Sequence, residues 1–418
     1  ILNFQIEQIG SAVYVNPLTG DDANPGSSFD APLRTITNAL LRVVADSLNP
    51  GTIYLADGEY LPLEPPVRRS ETVYMDNGER LPELNEEIFP INCLDYVNII
   101  GSSREGTILD AQNSSRVIYC NGDDGFSLSN LTVTGGNSGE GSGMYIMESD
   151  PVLDNIALIN NSGSGIDIRN WSSPTLNNII VSGNSGDGIY IYNYSHPLLT
   201  DLTVSDNYRG LHINGSCSPT ITGAVLSDNS DRGLYISSSH PLISDVIVTG
   251  NHEGGVGIHN NSDPTLTNIS VIDNEDTNEG GGFLITNTSD PILENIQVRG
   301  NTSSNSGGGI SIKDNSHPTL IGVTIADNTS NQGGGIYFYN NSTAIFDSDN
   351  RSSIYLNTAN SINGSDLYAY NSPLISVVVD TFSVMSPTDF YAYPVENYSF
   401  NILNFQIEQI GSAVYVNP

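Results

Sequence analysis

Positive charge is what this chain most lacks. Over 418 residues, Lys and Arg total 13 against 47 Asp and Glu, for a formal net charge of −34, and Lys313 is the single lysine. Such a surface repels nucleic acid and anionic membranes, so no nucleic-acid partner is expected. Long apolar runs are missing too. None approaches the roughly 20 residues of a membrane span, so no membrane insertion is expected. Residues 1–6 have neither the basic start nor the apolar core of a signal peptide. Cysteine is scarce: Cys93, Cys120 and Cys217 do not make a metal pattern. Cys93 and Cys120 are 27 residues apart and form a candidate disulfide, while Cys217 reads as a buried small residue. Charged residues are only 14% and evenly spread, which excludes a disordered acidic tail.

Gly, Asn, Ser, Thr and Asp are abundant instead, and these are turn formers. They fall in a repeat anchored on Pro151, Pro174, Pro197, Pro219, Pro241, Pro264, Pro291 and Pro318, first every 22–23 residues and then every 27. Apolar residues follow each proline at two, five and seven places, as in Leu153, Ile156 and Leu158. A glycine then introduces another alternating run, such as Gly188-Ile189-Tyr190-Ile191. Spacing of i, i+2 is a strand signal, so each repeat holds three short strands. Strands this short bury a core only when repeats stack, which predicts an all-β parallel β-helix.

Ten residues after each proline stands an asparagine: Asn161, Asn184, Asn207, Asn229, Asn251, Asn274, Asn301 and Asn328. Stacked coils place such side chains about 4.8 Å apart, which predicts an inward structural ladder at a left-handed turn. Before Pro151 the same pattern runs through 126–133, with Asn137 behind it. His196, His240 and His317 precede repeat prolines and read as turn residues. In the 27-residue repeats the extra residues, such as Glu275–Glu279, fall at one phase and predict a ridge of loops. Acidic residues cluster in the first loop, a candidate calcium site without ordered ligand spacing; no other cofactor is implied. Asn193, Asn260, Asn287 and Asn340 head Asn-x-Ser/Thr triplets, the first three just before repeat prolines, and are candidate glycosylation sites.

At a longer scale, residues 1–17 recur unchanged at 402–418. Leu2, Phe4 and Ile6, repeated as Leu403, Phe405 and Ile407, alternate with polar residues and read as a strand joining one unit to the next. The division expected is a strand, capping helix and first coil over 1–60, a loop insertion over 61–92 and coils over 93–375. C-terminal strands and linker follow over 376–401, then the repeated segment over 402–418. Leu33, Ile36, Leu40 and Val43-Val44 have helical spacing, with Pro32 at the start of the helix.

Several segments resemble the N-terminal motif of secreted right-handed parallel β-helix proteins of the pectin-lyase-like superfamily. They are Tyr14-Val15-Asn16-Pro17, Gly20-Asp21-Asp22, Asn24-Pro25-Gly26, Pro32-Leu33-Arg34-Thr35-Ile36 and Ile53-Tyr54-Leu55-Ala56-Asp57-Gly58-Glu59-Tyr60. Asn98-Ile99-Ile100-Gly101 and Thr107-Ile108-Leu109-Asp110-Ala111 resemble that superfamily's early coils. The resemblance implies the right hand and an extracellular or cell-surface location. It also implies sugar chemistry in many members, but this sequence lacks their hydrolase and lyase signatures as sets. The carboxylate pairs Asp21-Asp22 and Asp123-Asp124 have no partners on neighbouring coils, and Arg169, Arg209, Arg232 and Arg299 differ in phase. No catalytic set is therefore assigned. The leading expectation is a filament unit joined head to tail with identical units. The alternatives are a protein that binds or cleaves surface glycans, with Tyr190, Tyr192, Tyr194 and Tyr235 as a sugar platform, and the stalk of an adhesin.

Overall fold

A computed structural model describes residues 9–62, 87–359, 364–382, 389–393 and 398–402. Leu2, Phe4, Ile6, Leu403, Phe405 and Ile407 lie outside the described residues. The chain divides into two bodies, one within 1–190 and 195–202, the other within 191–194 and 203–418.

The first body opens with strand Ala12–Val15, parallel to Gly51–Leu55, which pairs in turn with Val97–Gly101. The longer strands then stack in register, Leu128 beside Leu153 and Leu153 beside Leu176. A second file of four-residue strands brings Ile118, Met144 and Ile166 side by side. Cys93 and Cys120 are joined by a disulfide, next to the pairing of Ile91 with Ile118.

The capping helix α1 runs over Ile36–Arg42, shorter than its apolar spacing predicts. Pro32 does not begin it. Thr35 is its N-cap, accepting from the Asn38 amide, and Val43 already has extended backbone. Asp22 fixes the cap by accepting from the Arg34 and Thr35 amides at 3.0 Å. The Glu87 carboxyl group accepts from the Ile36 and Thr37 amides at 2.6 and 2.8 Å, so a buried acidic side chain caps the helix N-terminus.

The second body repeats the design. Ile221, Ile243, Leu266, Leu293 and Leu320 form one inward file. Leu211, Leu234, Val256, Phe283, Ile310, Ile336 and Leu367 form another. Each of these side chains is 0% exposed except Ile243, at 3%, and each contributes about 1.5–3 kcal/mol by burial. In the shorter coils two of the expected strands merge into one eight-residue strand, bent at a left-handed residue such as Asp245 (φ 58°). The 27-residue coils split it, as at Ile292–Glu294 and Gln297–Arg299. Their extra residues form no loop ridge. Glu275–Asp276, Thr302–Ser303, Thr329–Ser330 and Thr358–Ala359 pair as parallel strands, because a stacked backbone satisfies groups that a loop leaves to water. Toward the C-terminus Ile375–Phe382 pairs with Tyr398–Ile402, and Leu367–Tyr370 with Phe390–Tyr393.

The asparagines form a buried ladder in both bodies. Asn229 donates its backbone N–H and its Nδ2 to Asn251 Oδ1, at 3.1 and 2.8 Å. Asn251 does the same to Asn274, Asn274 to Asn301, and Asn301 to Asn328. In the same body Asn207 N–H reaches Asn229 Oδ1 at 3.1 Å. In the first body Asn161 gives both bonds to Asn184. The left-handed turn is not at the asparagine but one residue earlier, at Asn160, Gly183, Asp206, Asp228, Gly250, Asp273, Gly300 and Asp327. Asn137 is not a rung; Gly136 holds that phase and gives its N–H to Asn161 Oδ1 at 2.8 Å. Past Asn328 the ladder continues to Asn357 and ends on the Asp366 carboxylate.

A second buried ladder lies two residues before the prolines. Ser239 N–H donates to Ser262 Oγ, Ser262 to Ser289, Ser289 to Ser316, and Ser316 to Ser342, at 3.1–3.2 Å. Cys217 is a rung of it: its N–H donates to Ser239 Oγ at 3.1 Å, and its Sγ faces Asn214 O at 3.1 Å.

The two ladders predict opposite outcomes for two substitutions. Asn251→Ala strips a partner from the Asn229 amide and from Leu226 O and should cost about 3 kcal/mol or more. Cys217→Ser keeps every partner and should change stability by less than about 1 kcal/mol. Urea denaturation of the two variants measures both.

Candidate functional site

With the ladders taking the inward positions, chemistry is left to outward side chains. In the second body the outward file beside the buried Leu234 strand reads His212, Tyr235, Gly257, Leu284, Ser311 and Tyr337. Gly257 is the gap in this file. A Cβ there would lie 2.8 Å from both Arg232 Cδ and His259 Nε2, so these two side chains occupy the space it leaves. His259 lies over Tyr235 with ring centroids 4.8 Å apart. The Arg209 guanidinium covers Tyr235 from the preceding coil, 4.8 Å from its centroid, and His212 meets its edge.

Next to this stack opens a cleft of about 510 Å³, walled by Tyr208, Asp231, Arg232, Glu253, Asp276 and Glu279 among others. Its charges are mostly paired. Arg232 Nη2 donates to Asp276 Oδ2 at 2.6 Å, Arg209 Nε to Asp231 Oδ2 at 2.7 Å, and Lys313 contacts Glu279. Asp276 also accepts from the Asn278 and Glu279 amides at 2.6 and 2.9 Å. These contacts engage both carboxylate oxygens of Asp276. Among the described residues no three His, Cys, Asp or Glu side chains converge on a metal position. Glu253 accepts from the Thr277 hydroxyl at 2.7 Å.

Burial shapes the titration of the site. Desolvation raises the Asp276 carboxyl against the lowering pull of Arg232 and the two amides. Desolvation depresses His259 to about 4, helped by the positive charges of Arg232, Lys313 and Arg209.

The first body carries a different outward cluster. Arg116 lies 4.4 Å over the Tyr145 ring, and Arg169 lies 5.6 Å from it on a following coil. Arg169 donates to Glu140 and Asp167 at 2.9 Å each. Asp167 is 1% exposed, and desolvation raises its carboxyl.

Other sequence-predicted residues are absorbed by structure. Asp22 belongs to the helix cap, and Asp123 accepts from its neighbour Asn121 at 2.7 Å. The Tyr235 ring is already packed against His259 and the Arg209 guanidinium. Tyr190 has Arg169 5.1 Å over its ring. Further along the second body, Tyr337, Tyr368 and Tyr391 stack on one another, as do Tyr339, Tyr370 and Tyr393. Asn193, Asn260, Asn287 and Asn340 all take positive φ of 52–59°. Asn287 Nδ2 donates to Asn260 Oδ1 and Asn340 Nδ2 to Asp314 Oδ1, so these triplets lie on an outer turn ladder. His240 accepts from the Asp263 amide at 3.1 Å, a turn role.

The cleft was missed in the sequence, yet it left a signal. Arg209, Asp231, Glu253 and Asp276 each lie twelve residues after a repeat proline, a charged column on successive coils. The arginines alone, which differ in phase, do not show it.

The model of the right-handed β-helix region matches residues 116–274 and 209–374, and a family of proteins of unknown function, DUF1565, matches 18–64. The chain therefore belongs to the right-handed β-helix family. No curated protein matches the chain. Similar solved structures include pectate lyase Pel9A, with 16% identity, TM-score 0.44, and coverage of 82% of this chain and 78% of that one. Another is the Azotobacter vinelandii mannuronan C-5 epimerase AlgE4 A-module, with 14% identity, TM-score 0.38, and coverage of 81% and 92%. The catalytic domain of GH87 alpha-1,3-glucanase in complex with nigerose has 13% identity, TM-score 0.41, and coverage of 84% and 64%.

His259 gives a pH prediction with a definite sign. In the unfolded chain it takes a proton near pH 6.5, in the folded chain near 4. Stability is therefore full above about 6.5 and falls between 6.5 and 4 by at most about 3 kcal/mol. The raised carboxyl of Asp276 contributes the opposite slope, so the difference between wild type and His259→Gln isolates the imidazole. Thermal melts over that range should show a shallower fall for the variant; parallel curves would contradict the assignment.

Proposed function

We propose that this chain is a carbohydrate-binding β-helix protein of the extracellular space or cell surface, and that the cleft around Asp231, Glu253 and Asp276 is its site. The carrying observation is the composition of that cleft. Carboxylates and a guanidinium stand within one concave surface beside Tyr208, which is 45% exposed. Sugars present dense hydroxyls on an amphipathic ring, and they suit a concave site with a few fixed polar groups and an aromatic wall. The acidic pairs are held by Arg209 and Arg232, which favours hydrogen bonding over nucleophilic or acid–base work. Binding rather than cleavage is therefore the reading.

End-to-end assembly is a second reading, carried by a separate observation: the identity of residues 1–17 with 402–418. In the first copy, residues Ala12–Val15 form a strand along Gly51–Leu55. The same sequence, at 413–416, suits the same pairing in a following or neighbouring unit.

A panel of immobilised glycans tests the first reading. The wild-type chain should bind a subset, and Tyr208→Ala and Asp231→Asn should each weaken that binding about tenfold, or about 1.4 kcal/mol. A panel blank for the wild type would overturn it. Electron microscopy of the native material tests the second: fibres with a regular axial repeat support it, and isolated particles contradict it.

A further inference from the structure

The carbohydrate reading leaves the class of sugar open, and the unmatched groups of the cleft narrow it. Three of its carboxylates have cations: Asp231 has Arg209, Asp276 has Arg232 and Glu279 has Lys313. Glu253 has no cation among the described residues, only the Thr277 hydroxyl. The negative charge left over at the cleft is therefore that of Glu253. On the other side, the Arg232 side chain is 10% exposed in the cleft wall, and its Nη1 has no acceptor. A buried guanidinium N–H without a partner is costly, and a ligand that brings an acceptor recovers that cost. The site thus lacks one cation beside Glu253 and one acceptor beside Arg232.

We propose, building on that carbohydrate reading, that the ligand is an amino sugar whose protonated amine pairs with Glu253 and whose hydroxyl oxygens meet Arg232. A 2-amino-2-deoxy hexose carries both groups on one ring. Hydrogen bonds between charged groups are roughly twice as strong as neutral ones, so the amine dominates the choice of ligand. An acetylated amine loses the charge and keeps the hydroxyls. A uronic acid brings a carboxylate to a cleft whose surplus charge is already negative, on a chain of net charge −34, and is repelled.

Titration calorimetry on the intact chain with three probes tests this: a glucosamine hexamer with its amines protonated, the N-acetylglucosamine hexamer and a galacturonate hexamer. The amine hexamer should bind at least about tenfold tighter than the acetylated one, about 1.4 kcal/mol, and added salt should narrow the gap. Glu253→Gln should abolish the preference and Glu253→Lys should turn it toward the uronate, with unchanged melting curves as the folding control. Equal affinity for the amine and acetylated hexamers, or an unchanged preference in Glu253→Gln, would overturn the amine assignment and leave the carbohydrate reading standing. Binding of none of the three hexamers overturns the amine assignment as well. It overturns the carbohydrate reading too only where the glycan panel is also blank.

Discussion

Each coil of this protein must turn a corner and bury the polar groups that corner exposes. The asparagine ladder is the means. One Oδ1 accepts both the backbone N–H and the Nδ2 of the neighbouring rung, as Asn274 does for Asn251. The same side chain's Nδ2 also reaches backbone carbonyls, Val248 O and Ile272 O for Asn274. Asp has the acceptor but no donor for this, and Ser is too short to carry both groups. In a low-dielectric column a missing partner costs more than a made bond contributes, so the rungs stand or fall together. The aliphatic files beside them supply the burial energy, and the ladder fixes the register in which they meet.

Because inward positions are committed to the ladders and the aliphatic files, the charged and aromatic clusters stand on outward positions. The lone gap at Gly257 shows how little is needed. Without a side chain at Gly257, Arg232 and His259 fill the space, His259 lies over Tyr235, and Arg232 reaches Asp276, two coils away. Three of the chain's 13 Lys and Arg residues stand here, against Asp231, Asp276 and Glu279. In a strongly acidic chain, such pairing offsets the repulsion between neighbouring carboxylates.

The coil itself was legible in the sequence, because proline phase and i, i+2 spacing report stacking directly. All eight asparagines lie at buried positions, at 2% exposure or less. Finer features followed other rules. Positive φ falls before each rung, since the short polar or Gly residue there, not the hydrogen-bonding one, makes the corner. The serine ladder was not legible, because Ser239, Ser262, Ser289 and Ser316 stand in a chain rich in serine turns and only stacking shows that each hydroxyl accepts from the preceding coil. Cys217 belongs to that file, which explains a cysteine that the sequence alone could only call buried. Helix α1 ended early because Val43 turns extended, and Glu87, 51 residues from Ile36, was invisible as a cap without the fold. The cleft depends on contacts 44 residues apart between Arg232 and Asp276, a reach that no local motif encodes.

If the ladder sets the register of the coils, its backbone amides should be the last to open. Hydrogen exchange of the Asn229, Asn251, Asn274 and Asn301 N–H groups measures this directly. These amides should exchange only through global unfolding, with protection that matches the stability found by denaturation. Exchange at rates typical of the outer turn residues, such as Asn260 and Asn287, would contradict the ladder's role.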